Sequence, residues 1–315
     1  MPIGLGLASS HAPTVWRPVD KWPQIYAFLA SGAPDPPDSP EALEQQYQRI
    51  QASLRTLREQ LESYRPDALI IVGDDQNEVF SRAFIPAMAI YLGDEVSGTA
   101  NINLLGEPQD QNHITLKCHA TVAKMILDGL VNRGFDVAYI EELTPLSRPK
   151  SGLGHAFSHL AHGIGLHEMG IPTVIFFINA YHAPLPTARR CYDLGRAMRD
   201  ILAARPERVA IFGSGGLMHN PRGVPNGWID ETLDHWVLDT LARGDGEALT
   251  NLFTFDAGIL QGGTGEIRSW ITVAGAFEGL PASIVDYVPA KHGCTGLGFA
   301  YWNPGANGRG ASDDR

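Results

Sequence analysis

Residues 68–78 read ALIIVGDDQNE. Six apolar or small residues run without interruption, and five polar ones follow, three of them carboxylates (Asp74, Asp75 and Glu78). A continuous apolar run of this length is typical of a strand covered on both faces, as in a parallel sheet flanked by helices. The break at Asp74 sets acids and amides at the carboxyl end of that strand. Whether the same grammar recurs elsewhere decides the fold class.

Working outward, it does recur. Upstream, the Pro/Asp-rich loop SGAPDPPDSP (31–40) leads into a segment with apolar residues at Leu43, Tyr47, Ile50, Leu54, Leu57 and Leu61. That spacing of three and four predicts a helix, with Ser39 as its cap and Pro40 in its first turn. Downstream, 113–133 reads as a helix, 135–140 as a strand and 172–178 (PTVIFFI) as a buried strand. A helix over 187–204, a strand over 208–213 and helices over 229–243 and 266–277 follow. Strands at 282–288 and 297–302 close the pattern. At the start, GLGLASSHAPTV (4–15) is an apolar strand ending in serines and a histidine. Alternating strands and helices predict an α/β fold, a central mostly parallel or mixed sheet flanked by helices. One domain is expected over 1–303, and the polar, Gly-rich end, 304–315, is expected to be disordered.

Composition narrows the function. The 315 residues are 44% hydrophobic and 19% charged, ample for a core. A net charge of −11 argues against nucleic acid as a partner, because phosphate binding needs a basic face. Cys118, Cys191 and Cys294 have no CxxC spacing, which argues against a disulfide framework or zinc ribbon and for reduced thiols. No basic-then-apolar leader opens the chain, and no uncharged apolar run reaches the length of a membrane span. These readings point to a cytoplasmic protein with no membrane partner.

The polar residues collect after the strands. SSHAP follows the first strand, DDQNE the second, NAYHAPLP (179–186) the one at 172–178, and GSGGLMHNP (213–221) the one at 208–213. Ligands of open α/β sheets bind outside strand carboxyl ends, so these four ends predict one pocket. Eight of the eleven histidines lie between 113 and 219. GHAFSHLAHGIGLH holds four, but no acid stands between them as in His-Glu-x-x-His, so most read as surface or satisfied side chains. His155, after a Gly-x-Gly turn, is the one singled out. His219 follows four small residues, which leave room beside its ring. Glu266 follows the glycine run GGTG at a predicted helix start. A histidine, a second polar ligand and a carboxylate, with a further histidine outside the metal shell, fit a non-haem Fe(II) site with open positions and a proton carrier.

In this order, SSHAP, IIVGDDQNEVF, PLPTARRCYDLG, GSGGLMHNPRG with GWIDETLD, GTGEIRSW and VPAKHGCTGLG are together specific. Over about residues 3–302 the chain resembles the class III (type II) extradiol ring-cleavage dioxygenases. That group includes the protocatechuate 4,5-dioxygenase β subunit, gallate dioxygenase and 3-O-methylgallate dioxygenase. The resemblance implies metal ligation by His11 and Glu266, acid/base work by His219, and contact of His155 with a substrate hydroxyl or bound oxygen. His113 and His119 also match family histidines, without an assigned role. In one respect the chain departs from the pattern: Gln76 stands where the protocatechuate enzymes carry their second iron histidine. Gln76 is the expected third ligand, through its amide oxygen, with Asp74, Asp75 or Glu78 as substitutes. Harder oxygen donors would shift preference from Fe(II) towards an ion such as Mn. His182 and His292 could enter from neighbouring loops.

The expected reaction is extradiol cleavage by O2 of a catechol-type phenolic acid such as gallate, protocatechuate or 3-O-methylgallate. His182, His292, Thr295 and Arg222 are the expected substrate-binding residues, with Arg189, Arg190 and Lys291 as further cations for a ring carboxylate. A homodimer is implied by the resemblance, and a small α-type subunit is a further candidate partner. Two rivals stand beside this reading, a metal-dependent hydrolase and a non-catalytic binding or signalling relative.

Overall fold

The computed structural model describes residues 3–29, 38–100, 106–108, 111–143, 152–219 and 228–305. Ten strands are described: β1 (Ile3–Ser9), β2 (Ala68–Gly73), β3 (Met88–Tyr91), β4 (Glu95–Thr99), β5 (His113–Lys117), β6 (Ala138–Ile140), β7 (Thr173–Ile178), β8 (Val209–Ser214), β9 (Ser283–Ala290) and β10 (Thr295–Trp302). The helices are α1 (Trp22–Leu29), α2 (Pro40–Tyr64), α3 (Ala120–Val131), α4 (His155–Ile164), α5 (Leu166–Met169), α6 (Ala188–Leu202), α7 (Glu231–Ala242) and α8 (Ile267–Ala276).

Eight strands form one sheet in the order β6-β3-β7-β2-β8-β1-β10-β9, and β4 and β5 pair separately. At its centre β7, β2, β8 and β1 run parallel, while β3 joins β7 and β10 joins β1 antiparallel. The sheet is therefore mixed, with its parallel part where the continuous apolar runs fall. All six residues of β2, β7 and β8 are buried, as two covered faces require.

Alternate residues of each strand serve different cores. Ile70 and Val72 pack with α3, α6, α7 and α8; Leu69 and Ile71 pack with α2 and α4. In α2 the Ser39 hydroxyl accepts from the Ala42 N–H, Pro40 opens the first turn, and Leu43, Ile50, Leu54, Leu57 and Leu61 form the buried stripe. Helices α6 and α8 touch backbone to backbone. A Cβ on Gly275 would lie 2.0 Å from Tyr192 O, and one on Gly195 1.8 Å from Thr272 O, so only glycine allows this crossing.

The helix expected over 113–133 begins later. Residues 113–117 form β5 opposite β4, alternately exposed and buried, a period of two that pairing with β4 favours over a helix. The helix proper starts at Ala120, where the His119 ring accepts from the Val122 N–H. The region expected to be disordered lies outside the described residues from 306 onward. All three cysteines are free thiols.

The parallel topology carries the functional consequence. β1, β2, β7 and β8 all end at the same edge of the sheet, so the segments after Ser9, Gly73, Ile178 and Ser214 face one another.

Candidate metal centre

His11, Asp74 and Glu266 meet at that edge. One potential ligand atom from each lies within 4.8 Å of the others, and all three side chains are buried. His11 Nε2 stands 3.6 Å from Glu266 Oε2 and 3.8 Å from Asp74 Oδ1. His11 comes from the end of β1, Asp74 from the end of β2, and Glu266 from the 3-10 turn Gly262–Glu266 that leads into α8.

His11 and Glu266 are each held from behind. The Ser214 hydroxyl donates to Ala156 O, so its oxygen accepts from His11 Nδ1–H at 3.2 Å. This turns the lone pair of His11 Nε2 towards the two carboxylates. Burial pushes the His11 pKa down to about 4 against the pull of Glu266, so the ring is neutral, the form that ligates a metal. Glu266 Oε2 accepts from the Gly216 N–H at 2.9 Å. Gly215, at φ +131°, would carry a Cβ 2.8 Å from the Glu266 side chain, which explains why the turn is built of glycines.

Asp74 is the revealing member. Both its carboxylate oxygens are buried and lack a hydrogen-bond partner among the described residues. Burial, and then repulsion from Glu266, holds its pKa well above the ordinary carboxylate range. Burial acts on Glu266 in the same sense, but His219 and His11 outweigh it and hold that group below the usual range. Two buried carboxylates facing one neutral imidazole favour a cation between them, and a divalent ion would supply it. The donor set fits a hard divalent metal.

The other polar residues of the DDQNE segment point elsewhere. Asp75 accepts from the backbone N–H groups of Asn77, Val79 and Phe80, stapling the turn. Glu78 accepts from both the N–H and Nδ1 of His155, the latter at 2.8 Å. Gln76, the expected third ligand, lies at the site, where its Nε2 donates to Glu266 Oε1 at 3.2 Å and to the Tyr181 hydroxyl at 2.7 Å. Asp74, named above as a substitute, stands in the cluster with His11 and Glu266.

His219 and His155 flank the cluster. His219 Nδ1–H donates to Leu217 O at 3.1 Å, which turns Nε2 towards Glu266 Oε1 at 3.2 Å. Burial works against charge on His219, but Glu266 outweighs it and its pKa lies above the ordinary value. A Cβ on Gly263 would lie 1.9 Å from His219 Nε2, so the glycine run clears space for this ring. The His155 ring stands 4.9 Å from that of His11. Burial opposes its charge too, yet Glu78 and the two site carboxylates push its pKa up to about 10. Of the remaining histidines of that run, His159 donates to His11 O and His162 stacks on Trp16, as satisfied side chains do.

The expected substrate-binding residues divide. Thr295 pairs through its backbone with His219, while its hydroxyl donates to Gly293 O. His182 Nε2 is buried in a neighbouring cavity with Asp75, Phe80 and Asn179. His292 packs beside Tyr26, 4.0 Å from Asp38. No hydrogen bond or ion pair among the described residues joins His182 or His292 to the cluster. Arg189 pairs with Glu247, Arg190 donates to Gly134 O, and Lys291 stands 3.9 Å from Asp38. Arg222 lies outside the described residues. Sequence reasoning overlooked Tyr181, whose hydroxyl donates to Glu266 Oε1, and Ser214; neither residue type nor spacing marks them.

Comparison with known proteins gives the fold and the family. The chain resembles an uncharacterized protein from Escherichia coli K12 in its solved structure, with a TM-score of 0.56 at 14% identity over 94% of this chain and 98% of that one, a likeness of fold. In sequence it is 29% identical over 172 residues to a 2,3-dihydroxyphenylpropionate/2,3-dihydroxicinnamic acid 1,2-dioxygenase of Photorhabdus laumondii, covering 55% of this chain and 49% of that protein. It is also 29% identical over 165 residues to a gallate dioxygenase of Pseudomonas putida, covering 51% and 46%. The chain spans about half the length of the curated relatives it matches. No helix among the described residues is long and apolar enough to cross a membrane. Residues 30–298 match the family described as the catalytic LigB subunit of aromatic ring-opening dioxygenase, and the chain belongs to that family.

Proposed function

We propose that this chain is an extradiol dioxygenase that opens the ring of a catechol-type phenolic acid, such as gallate, protocatechuate or 3-O-methylgallate, with O2. The observation that carries the reading is Asp74, a buried carboxylate with two unpartnered oxygens facing His11 and Glu266 at the sheet edge. His11, Asp74 and Glu266 would hold a divalent ion, Fe(II) in the family manner. One imidazole and two carboxylates form a harder set than two imidazoles, which suits Mn(II) as well. When bound, the ion acts as a Lewis acid and template, lowering the pKa of a diol hydroxyl and gathering the reactants.

The chain's own residues supply the rest. His219, with Nδ1 tied to Leu217 O, presents Nε2 as the group that takes a substrate hydroxyl proton and later returns one. His155, kept cationic by Glu78, presents a donor to an anionic oxygen. Thr295, Arg222, His182 and His292 are proposed substrate-binding residues on the family resemblance. Self-association as a homodimer, and a small lid-forming subunit, are proposed partners on the family resemblance alone.

The test is anaerobic loading with Fe(II), and separately Mn(II), followed by each of the three phenols in air. Loss of aromatic absorbance with stoichiometric O2 uptake is the expected result. Metal binding without O2 uptake on any catechol would overturn it in favour of a hydrolase. Absence of metal binding would favour a non-catalytic relative.

A further inference from the structure

Tyr181 stands at the hub of the network around Glu266. Its hydroxyl donates to Glu266 Oε1, accepts from Gln76 Nε2 at 2.7 Å, and lies 3.5 Å from His219 Nε2. The loop that carries it is pinned just beyond β7. Asn179 Oδ1 accepts from the N–H groups of Tyr181 at 3.2 Å and His182 at 2.9 Å, and Asn179 Nδ2 donates to His182 O at 2.6 Å. The hydroxyl is thus held from the strand end, not from a free loop.

The two oxygens of Glu266 consequently differ. Oε1 receives Tyr181 O–H and Gln76 N–H, and His219 Nε2 stands 3.2 Å away. Oε2 receives the Gly216 N–H and faces His11. We infer that Tyr181 is a positioning residue that reserves Oε1 of Glu266, so that Oε2 alone ligates the metal while His219 stays beside the same carboxylate. The inference rests on the metal centre proposed above. Its consequence is coordination number. With one atom each from His11, Asp74 and Glu266, about three of six positions stay open, enough for a two-oxygen diol and one small molecule. A Glu266 released to bind through both oxygens would remove one of them.

The probe is Mn2+ alone. Wild type, Tyr181→Phe and Gln76→Leu are titrated with Mn2+ by calorimetry, and the bound ion is read by electron paramagnetic resonance and by water-proton relaxation, which counts metal-bound waters. In Tyr181→Phe the relaxation enhancement is expected to fall by about a third, three waters becoming two, with altered resonance lines and an unchanged far-ultraviolet spectrum. Gln76→Leu, which removes the amide donor from the same hub, is expected to fall part of the way. Spectra and relaxation matching wild type in Tyr181→Phe would overturn the inference, as would a wild type that fails to bind Mn2+. Should Tyr181→Phe not fold, an unchanged Gln76→Leu decides against it. No aromatic substrate or O2 enters these measurements, so failure of ring opening leaves the inference standing, and its own failure leaves ring opening testable.

Discussion

Ser214 Oγ lies 3.2 Å from His11 Nδ1 and fixes which nitrogen of that ring faces the carboxylates. Because the serine hydroxyl is spent on Ala156 O, it can only accept from the histidine. Ser214→Ala therefore removes the tautomer lock without touching a ligand. Metal affinity is expected to weaken by about 10- to 100-fold, the usual cost of losing such a partner. Calorimetric titration with Mn2+ checks it, and affinity within twofold of wild type would remove Ser214 from this role.

Asp74→Asn separates a metal ligand from a structural acid by the sign of two effects. In the metal-free protein Asp74 is an unpartnered buried carboxyl beside Glu266, so an uncharged amide of the same shape should leave the metal-free fold at least as stable as wild type. With metal present, the rise in melting temperature that the ion confers should largely disappear. Melts with and without Mn2+ read both, and a destabilised metal-free variant would contradict the assignment.

His219→Asn tests the proton carrier. The variant is expected to bind Mn2+ near normally and to lose about 10²- to 10⁴-fold in kcat on any phenol that wild type opens. Gly263→Ala should act on the same residue from outside, because its methyl would sit 1.9 Å from His219 Nε2. A comparable loss of kcat with little change in melting temperature is expected. Full activity in either variant would show that the position of His219 does not matter.

Asp234 gives a pH dependence away from the metal. Its carboxylate accepts from the Tyr287 hydroxyl and the Met218 N–H, yet burial outweighs both and pushes its pKa from 3.8 up to about 7. A carboxyl whose pKa is higher folded than unfolded binds more protons when folded, so stability falls as pH rises between about 4 and 7. At about 1.4 kcal/mol per unit, the loss reaches about 4 kcal/mol above pH 7. Asp234→Asn keeps an acceptor for Met218 and cannot ionise. Denaturant melts from pH 4 to 8 should be flatter in the variant, and parallel curves would refute the argument.

Much of the fold was legible because it is written locally. The runs at 68–73, 172–178 and 208–213 are buried strands in the structure, and the stripe from Leu43 to Leu61 is the buried face of α2. Where the local signal misleads, at 113–117, strand character comes from pairing with β4, while the helical pattern of the segment that follows extends over it in sequence. Of the site, the strand-end rule found His11 and the polar DDQNE segment, and the glycine runs drew attention to His219 and Glu266. The resemblance puts Gln76 first among Asp74, Asp75, Gln76 and Glu78, and four neighbouring polar residues look alike until their partners are known. Asp75 is spent on its own turn and Glu78 on His155, and Gln76 gives its amide hydrogens to Tyr181 and Glu266.

The sequence by itself determined the buried strands at 68–73, 172–178 and 208–213, the long amphipathic helix α2, and which strand ends carry polar groups, because hydrophobic period and turn chemistry act over a few residues. Only the tertiary structure decided that the end of β1, the end of β2 and the turn before α8 converge, that Asp74 is the carboxylate left unpartnered among them, and that Tyr181 and Ser214 hold the others in place. Those facts depend on parallel pairing between distant strands and on the direction of single side chains. Neither quantity has a period along the chain from which it could be read.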